Sequence, residues 1–261
     1  MPHLLLIGNG YLGQAVTREF RENGWDVTPV SLSGGDDSIA ANVALPDSLG
    51  ELRAQIPTPD FIVHCAASGR GGPEAYQRVY VDGCRNLVEI FPGVPLLFTS
   101  SSSVYAQIDG SEVTEESATE PGRETGKLLL AAERITRESG GIVARLAGIY
   151  GPQRSVILRK FLSGDAVIEE DGRRFLNQIH RDDAARAIFH LATIPTAIGQ
   201  IFNVSDSKPL AQIECYQWLA EYFGRRLPPS GPRDPDRKRG WTHKRVSNQK
   251  LRLSGWAPVF T

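Results

Sequence analysis

The feature that most constrains this chain stands at its beginning. Leu4-Leu5-Leu6-Ile7 is a continuous apolar run that leads straight into Gly8-Asn9-Gly10-Tyr11-Leu12-Gly13. The run reads as a buried strand. Leu12, Val16 and Phe20 then recur every four residues, with Ala15 on a neighbouring face, as the stripe of an amphipathic helix. A strand, a Gly-x-Gly-x-x-Gly turn and a helix together make a phosphate cradle. Gly8 allows the tight turn, and Gly10 lets a pyrophosphate approach the backbone. Gly13 lets the helix pack closely on the strand, with its first N–H groups aimed at the phosphates. Because the pattern opens a strand–helix–strand unit, it points to a dinucleotide. The expected cofactor contacts here are Gly8, Asn9, Gly10, Tyr11, Leu12 and Gly13.

The next residues repeat the alternation. Strands are predicted over 27–30, 39–43, 61–67, 95–99 and 142–146, and helices over 46–56, 74–91 and 124–138. The run Phe61-Ile62-Val63-His64-Cys65-Ala66-Ala67 lies between Pro59 and Ser68-Gly69, and suits a parallel strand buried on both faces. This order predicts an α/β chain on a doubly wound parallel sheet, a Rossmann fold. Such sheets bind ligands beyond the carboxyl ends of their strands. The second strand is followed by Ser31 and Ser33, where an NAD site would carry a carboxylate and an NADP site an arginine; Asp36 and Asp37 come only later. The cofactor is therefore NAD or NADP, with the choice open. Asn42 and Val43 stand where an adenine edge could be read. Ala66 and Ala67 close the fourth strand, and the fifth runs into Ser100-Ser101-Ser102-Ser103-Val104-Tyr105.

Beyond Tyr150-Gly151-Pro152 the pattern leaves the sheet, returns for a helix ending at Ile194 and a strand over 200–204, and continues as a helix over 209–223. The predicted division is a dinucleotide-binding domain of residues 1–148 plus about 176–204, and a small C-terminal substrate lobe of residues 149–175 plus 205–261. Between positions 225 and 252 ten Lys or Arg stand against Asp234 and Asp236, which suggests a patch for an anionic small-molecule substrate.

Other classes are set aside. A net charge of −1 gives no global attraction to nucleic acid or membrane. No apolar run would span a bilayer, and the four apolar residues before Gly8 are too few for a signal peptide. Cys65, Cys84 and Cys215 are odd in number and widely spaced, so a reducing cytoplasm is expected. No metal site is expected. Adjacent His64 and Cys65 point to opposite faces of a strand, and His180-Arg181-Asp182-Asp183 lacks a tetrahedral ligand spacing. Arg145 is read as pairing with a carboxylate inside the sheet in preference to contacting substrate.

An ordered set of stretches gives a resemblance. These are residues 8–13, Asn42-Val43, His64-Cys65-Ala66-Ala67, 99–105, 127–133, 145–152, 179–183 and Phe202-Asn203-Val204. In that order they resemble the extended and atypical short-chain dehydrogenases/reductases, the NAD-dependent epimerase/dehydratase family acting on nucleotide sugars. The segment 244–251 is similar to the family's late substrate-lobe segment. The resemblance implies an NAD(P)-dependent epimerase or reductase of nucleotide-sugar-type substrates. It implies Ser101 as the group hydrogen-bonding the substrate oxygen, Ser100 beside the cofactor, Lys127 on the nicotinamide ribose, and a homodimer through helices beside the sheet.

Two departures shape that expectation. Ile7 stands where the family's first loop glycine would be. The family tyrosine, which exchanges the alcohol proton, would lie four residues before Lys127, and Arg123 stands there. Arginine stays protonated and is no general base. Either another group takes the proton, with Tyr105, Tyr150 and Glu124 nearest in sequence, or the register before Lys127 is shifted, or the chain binds a dinucleotide without hydride chemistry, as a sensor or regulatory protein. Family dehydratases carry an acidic pair after the serine position; Ser102 and Ser103 stand there, favouring epimerisation or reduction.

Overall fold

The computed structural model describes residues 1–35, 37–69, 71–233 and 241–260. Seven parallel strands form the central sheet: β1 (His3–Ile7), β2 (Asp26–Ser31), β3 (Ile39–Ala40), β4 (Phe61–His64), β5 (Leu96–Ser101), β6 (Ile142–Leu146) and β7 (Ile201–Val204). Their spatial order is β7-β6-β5-β4-β1-β2-β3. The order reverses between β1 and β4, which opens the ligand crevice of doubly wound sheets at the end of β1. The helices are α1 (Tyr11–Glu22), α2 (Pro46–Gln55), α3 (73–90), α4 (Glu124–Glu138), α5 (Val156–Ser163), α6 (Arg181–Thr193), α7 (Gln212–Phe223) and α8 (Gln249–Leu253). Within α3 the stretch Gln77–Asp82 is π-helical.

Strand periodicity sorts the core into two layers. Leu4, Leu6, Val63, Leu97 and Ala144 pack with α1 and α6 on one face. Leu5, Ile7 and Ile62 pack with α2 and α3 on the other, and Phe98 joins α4 there. Both faces are covered, which is why these strands read as continuous apolar runs. The third strand is shorter than its predicted 39–43 span, and β4 stops at His64, leaving Cys65-Ala66-Ala67 as loop at the crevice.

Beyond the sheet the chain makes short pairs: Gly148–Tyr150 with Gln178–His180, Phe175–Leu176 with Leu210–Ala211, Ile168–Glu169 with Ser230–Gly231, and Glu112–Val113 with Arg245–Val246. Phe161, Ala166, Ile168, Tyr216 and Leu219 form a separate apolar cluster between α5 and α7. No helix among the described residues is long and apolar enough to cross a membrane.

Candidate functional site

The glycine turn is shaped by close contact. Gly8 has φ +105°, and a Cβ there would lie 2.4 Å from the Ala66 backbone. A Cβ on Gly13 would lie 1.9 Å from the Gly8 carbonyl oxygen. A Cβ on Gly10 would meet nothing within 4 Å. Backbone is therefore packed tightly behind the turn while Gly10 opens outward, and no side chain caps α1 at Gly10. The Cys65 thiol donates to the Gly8 carbonyl at 3.2 Å, and burial pushes its pKa up to about 12, so Cys65 is a strut and not a nucleophile. Asn9 Nδ2 donates to Ser38 Oγ at 2.7 Å and ties the turn to the loop after β2.

Two cavities adjoin across this turn, sharing Gly8, Gly10, Ala66 and Ala67. The first, of about 200 Å³, adds Tyr11, Leu12, Gly13, Ser100 and Ser101. The second, of about 580 Å³, adds Asn9, Ser31 and Ser33. Together they form one groove along the carboxyl edge of the sheet. It gathers most of the residues expected to contact cofactor. Asn42 and Val43 line neither cavity: Asn42 Oδ1 accepts from the Ala44 N–H at 3.0 Å, and buried Val43 accepts from Asn86 Nδ2 through its carbonyl. They shape the loop before α2 and do not reach the groove.

Two expected site side chains, Tyr105 as a candidate for the proton and Lys127 for the nicotinamide ribose, stand apart from the groove. Tyr105 is fully buried; its hydroxyl donates to Asn203 Oδ1 at 2.9 Å and accepts from Arg145 Nη1 at 2.8 Å. Burial holds its pKa above the ordinary phenol value. A hydroxyl already bonded on both sides inside the core cannot serve a substrate. Lys127 is exposed, 3.5 Å from Glu124, and lines neither part of the groove. The cause lies six residues on. Glu133 is buried and bonds Arg145 at 2.7 Å and the Ser100 hydroxyl at 2.5 Å. Six helical positions turn about 240° past full circle, so Lys127 and Glu133 cannot share a face. Four positions turn about 40° past it, so Leu129 does share that face. Leu129 lines the groove, and Thr125, four residues before it, lines the adjoining cavity of about 430 Å³ with Arg123 and Trp241. The inner face of α4 therefore presents Thr125 and Leu129. No local signal in the sequence announced this rotation, since nothing within α4 marks Glu133 as the partner of the buried Arg145.

Further residues reach the groove that the sequence did not single out. Tyr76 and Tyr80 come from α3, with Tyr80 inside the π-helical stretch, and Arg154 from the loop after Tyr150. The Tyr80 oxygen accepts from the Ser68 N–H at 3.1 Å. The structure places Arg145 as expected, inside the sheet; burial works against its charge, and the Glu133 carboxylate keeps it protonated. Among the described residues no group of His, Cys, Asp and Glu could hold a metal ion. His180 caps α6, accepting from the Asp182 N–H at 3.3 Å. Of the basic run, Lys244 is buried and donates to the Tyr105 carbonyl at 2.6 Å, Arg233 pairs with Glu170 at 2.6 Å, and Arg237, Lys238 and Arg239 lie outside the described residues.

Comparison with known proteins agrees with this architecture. Over 242 residues the chain is 27% identical to Protein YeeZ of Escherichia coli (strain K12), covering 86% of this chain and 85% of that protein. A solved structure from Methylobacillus flagellatus, described as an NAD-dependent epimerase/dehydratase, superposes with a TM-score of 0.81 at 25% identity, over 99% of this chain and 93% of that one. The human epimerase family protein SDR39U1, solved with NADPH, has the same fold, with a TM-score of 0.81 at 20% identity, over 99% and 95% of the two chains. The model of the NAD dependent epimerase/dehydratase family matches residues 4–205, and to that family this chain belongs.

Proposed function

We propose that the groove holds NAD or NADP and that the chain is an epimerase- or reductase-type enzyme for a small, anionic, nucleotide-sugar-type substrate. The observation that carries this reading is the contrast within the glycine turn. Gly8 and Gly13 are confined by backbone on one side, while Gly10 faces open groove on the other. A surface without side chains at that point lets a diphosphate reach backbone N–H groups. Tyr11, Leu12 and Gly13 would supply those groups, and Ser31 and Ser33 would face the adenosine ribose. Ser101 would hydrogen-bond the reacting substrate oxygen. The dinucleotide, when bound, supplies hydride transfer. With Tyr105 committed to the core, the phenols that share the groove with Ser101 are Tyr11, Tyr76 and Tyr80. The same proposal divides the chain at residues 1–148 plus about 176–204 and 149–175 plus 205–261, and gives it a cytoplasmic, homodimeric life.

A second reading is a dinucleotide-binding sensor or regulatory protein without turnover. Its support is the inner face of α4, where Thr125 and Leu129 offer neither a phenol nor an ammonium. Titration with NAD and NADP, followed by nicotinamide absorbance over a panel of nucleotide sugars, separates the readings. The enzyme reading expects a change in absorbance, or an interconverted sugar, with at least one substrate. Dinucleotide binding with no turnover across the panel would establish the sensor instead, and absence of binding would remove both.

A further inference from the structure

Tyr11, the residue after Gly10, joins the glycine turn to the segment that leaves the sheet. Its hydroxyl donates to the Pro152 carbonyl at 3.1 Å. The turn it reaches is closed by reciprocal backbone bonds between Gly151 and Arg154, at 2.9 and 3.0 Å, with Gln153 at φ +60°. The turn is thus a built feature that delivers Arg154 to a fixed place. The Arg154 guanidinium lies over the Tyr11 ring, 4.9 Å from its centre, and lines the groove with Gly10, Gly13 and Ser101.

Arg181 lies over the same ring at 5.1 Å and provides the contrast. Its Nε donates to Asp182 Oδ1 at 2.9 Å, so its charge is answered within the protein. Arg154 has no carboxylate within ion-pair distance among the described residues, and its side chain stands in the groove. A planar guanidinium held on an aromatic face keeps its fork of N–H donors free for a phosphate ester.

We propose that Arg154, seated on Tyr11 by the 151–154 turn, is a clasp for a diphosphate lying in the groove. This rests on the dinucleotide reading above. The chemistry has two sources, the diphosphate of the cofactor and the diphosphate of a nucleotide-type substrate. Arg154 stands at the junction between the glycine turn and the chain that leaves the sheet.

The test is calorimetric titration of wild type, Arg154→Gln and Arg154→Lys with NAD, NADP, UDP and AMP, with thermal melts to show that the variants stay folded. The expected result is that Arg154→Gln weakens a diphosphate ligand by about tenfold or more while AMP is unchanged, and that Arg154→Lys keeps part of the affinity. Loss confined to NAD or NADP assigns the clasp to the cofactor, and loss confined to UDP assigns it to the substrate. Wild-type affinity should also fall more steeply with added salt than that of Arg154→Gln. A folded Arg154→Gln protein that binds every ligand as wild type does would overturn the clasp and leave the dinucleotide reading standing. Equal weakening of AMP would overturn it as well. If wild type binds none of these ligands, the underlying reading falls together with the clasp.

Discussion

The residues that settle this site are Glu133 and Arg145, neither of which needs to touch a ligand. Both are almost fully buried and bond in a fork, Arg145 Nη2 to Glu133 Oε2 at 2.7 Å and Nε to the same oxygen at 3.2 Å. Arg145 also holds the Tyr105 hydroxyl, and Glu133 holds Ser100. The pair thereby fixes the serine loop from below. Burying two charges together gives little net stability, but removing one strands the other. Glu133→Gln should therefore cost about 3–5 kcal/mol in a urea melt. A Glu133→Leu, Arg145→Met double variant should cost less than Glu133→Gln, because no charge is left without a partner. A double variant as unstable as the single one would show that packing, and not charge, sets the penalty. Arg145 was legible as a structural cation from its place in a strand. Its partner was not, because nothing local in α4 marks Glu133 as the buried carboxylate among its neighbours.

At the scale of elements, the glycine turn and α1 act as a unit, and their glycines do different work. Gly13→Ala would put a methyl 1.9 Å from the Gly8 carbonyl, so α1 must move off the end of β1. Overpacking of this kind costs about 1–3 kcal/mol, and the distorted turn should lose its dinucleotide. Gly10 has φ −85°, which alanine adopts freely, and its Cβ would stand in open groove. Gly10→Ala should melt like wild type yet bind NAD or NADP more weakly, since its methyl occupies the approach to the backbone. Equal affinity for wild type and Gly10→Ala would place the diphosphate elsewhere. The turn was readable from spacing alone because glycine reports a backbone requirement directly. The rotation of α4 was not, since Lys127 and Leu129 both suit a helix and only the partner of Glu133 decides which of them faces inward.

At the scale of the whole molecule, acid should loosen the fold through His64. This imidazole is fully buried at the end of β4, and burial lowers its pKa from 6.5 to about 4. The native state then holds fewer protons than the unfolded chain between those values. Stability from His64 is present above about pH 6.5 and is lost progressively as pH falls toward 4, by up to about 3 kcal/mol. Asp206 works in the opposite sense: its pKa is raised from 3.8 to about 6 by burial, so its protonation favours the native state over that interval. The two shifts are of similar size and opposite sign, so denaturant melts of wild type should change little across this range, whereas His64→Gln, left with the Asp206 effect, should gain stability as pH falls; identical profiles for the two proteins would exclude a contribution from His64. The sequence by itself determined the order of strands and helices, the two-faced sheet and the dinucleotide turn, because alternation, apolar runs and glycine spacing are local consequences of backbone geometry. Only the tertiary structure decided that Tyr105 is core, that Lys127 faces solvent and that Arg154 enters the groove. Each of these depends on a partner dozens of residues away, or on a helix rotation set by one buried ion pair, and burial between distant segments is not written in any local pattern.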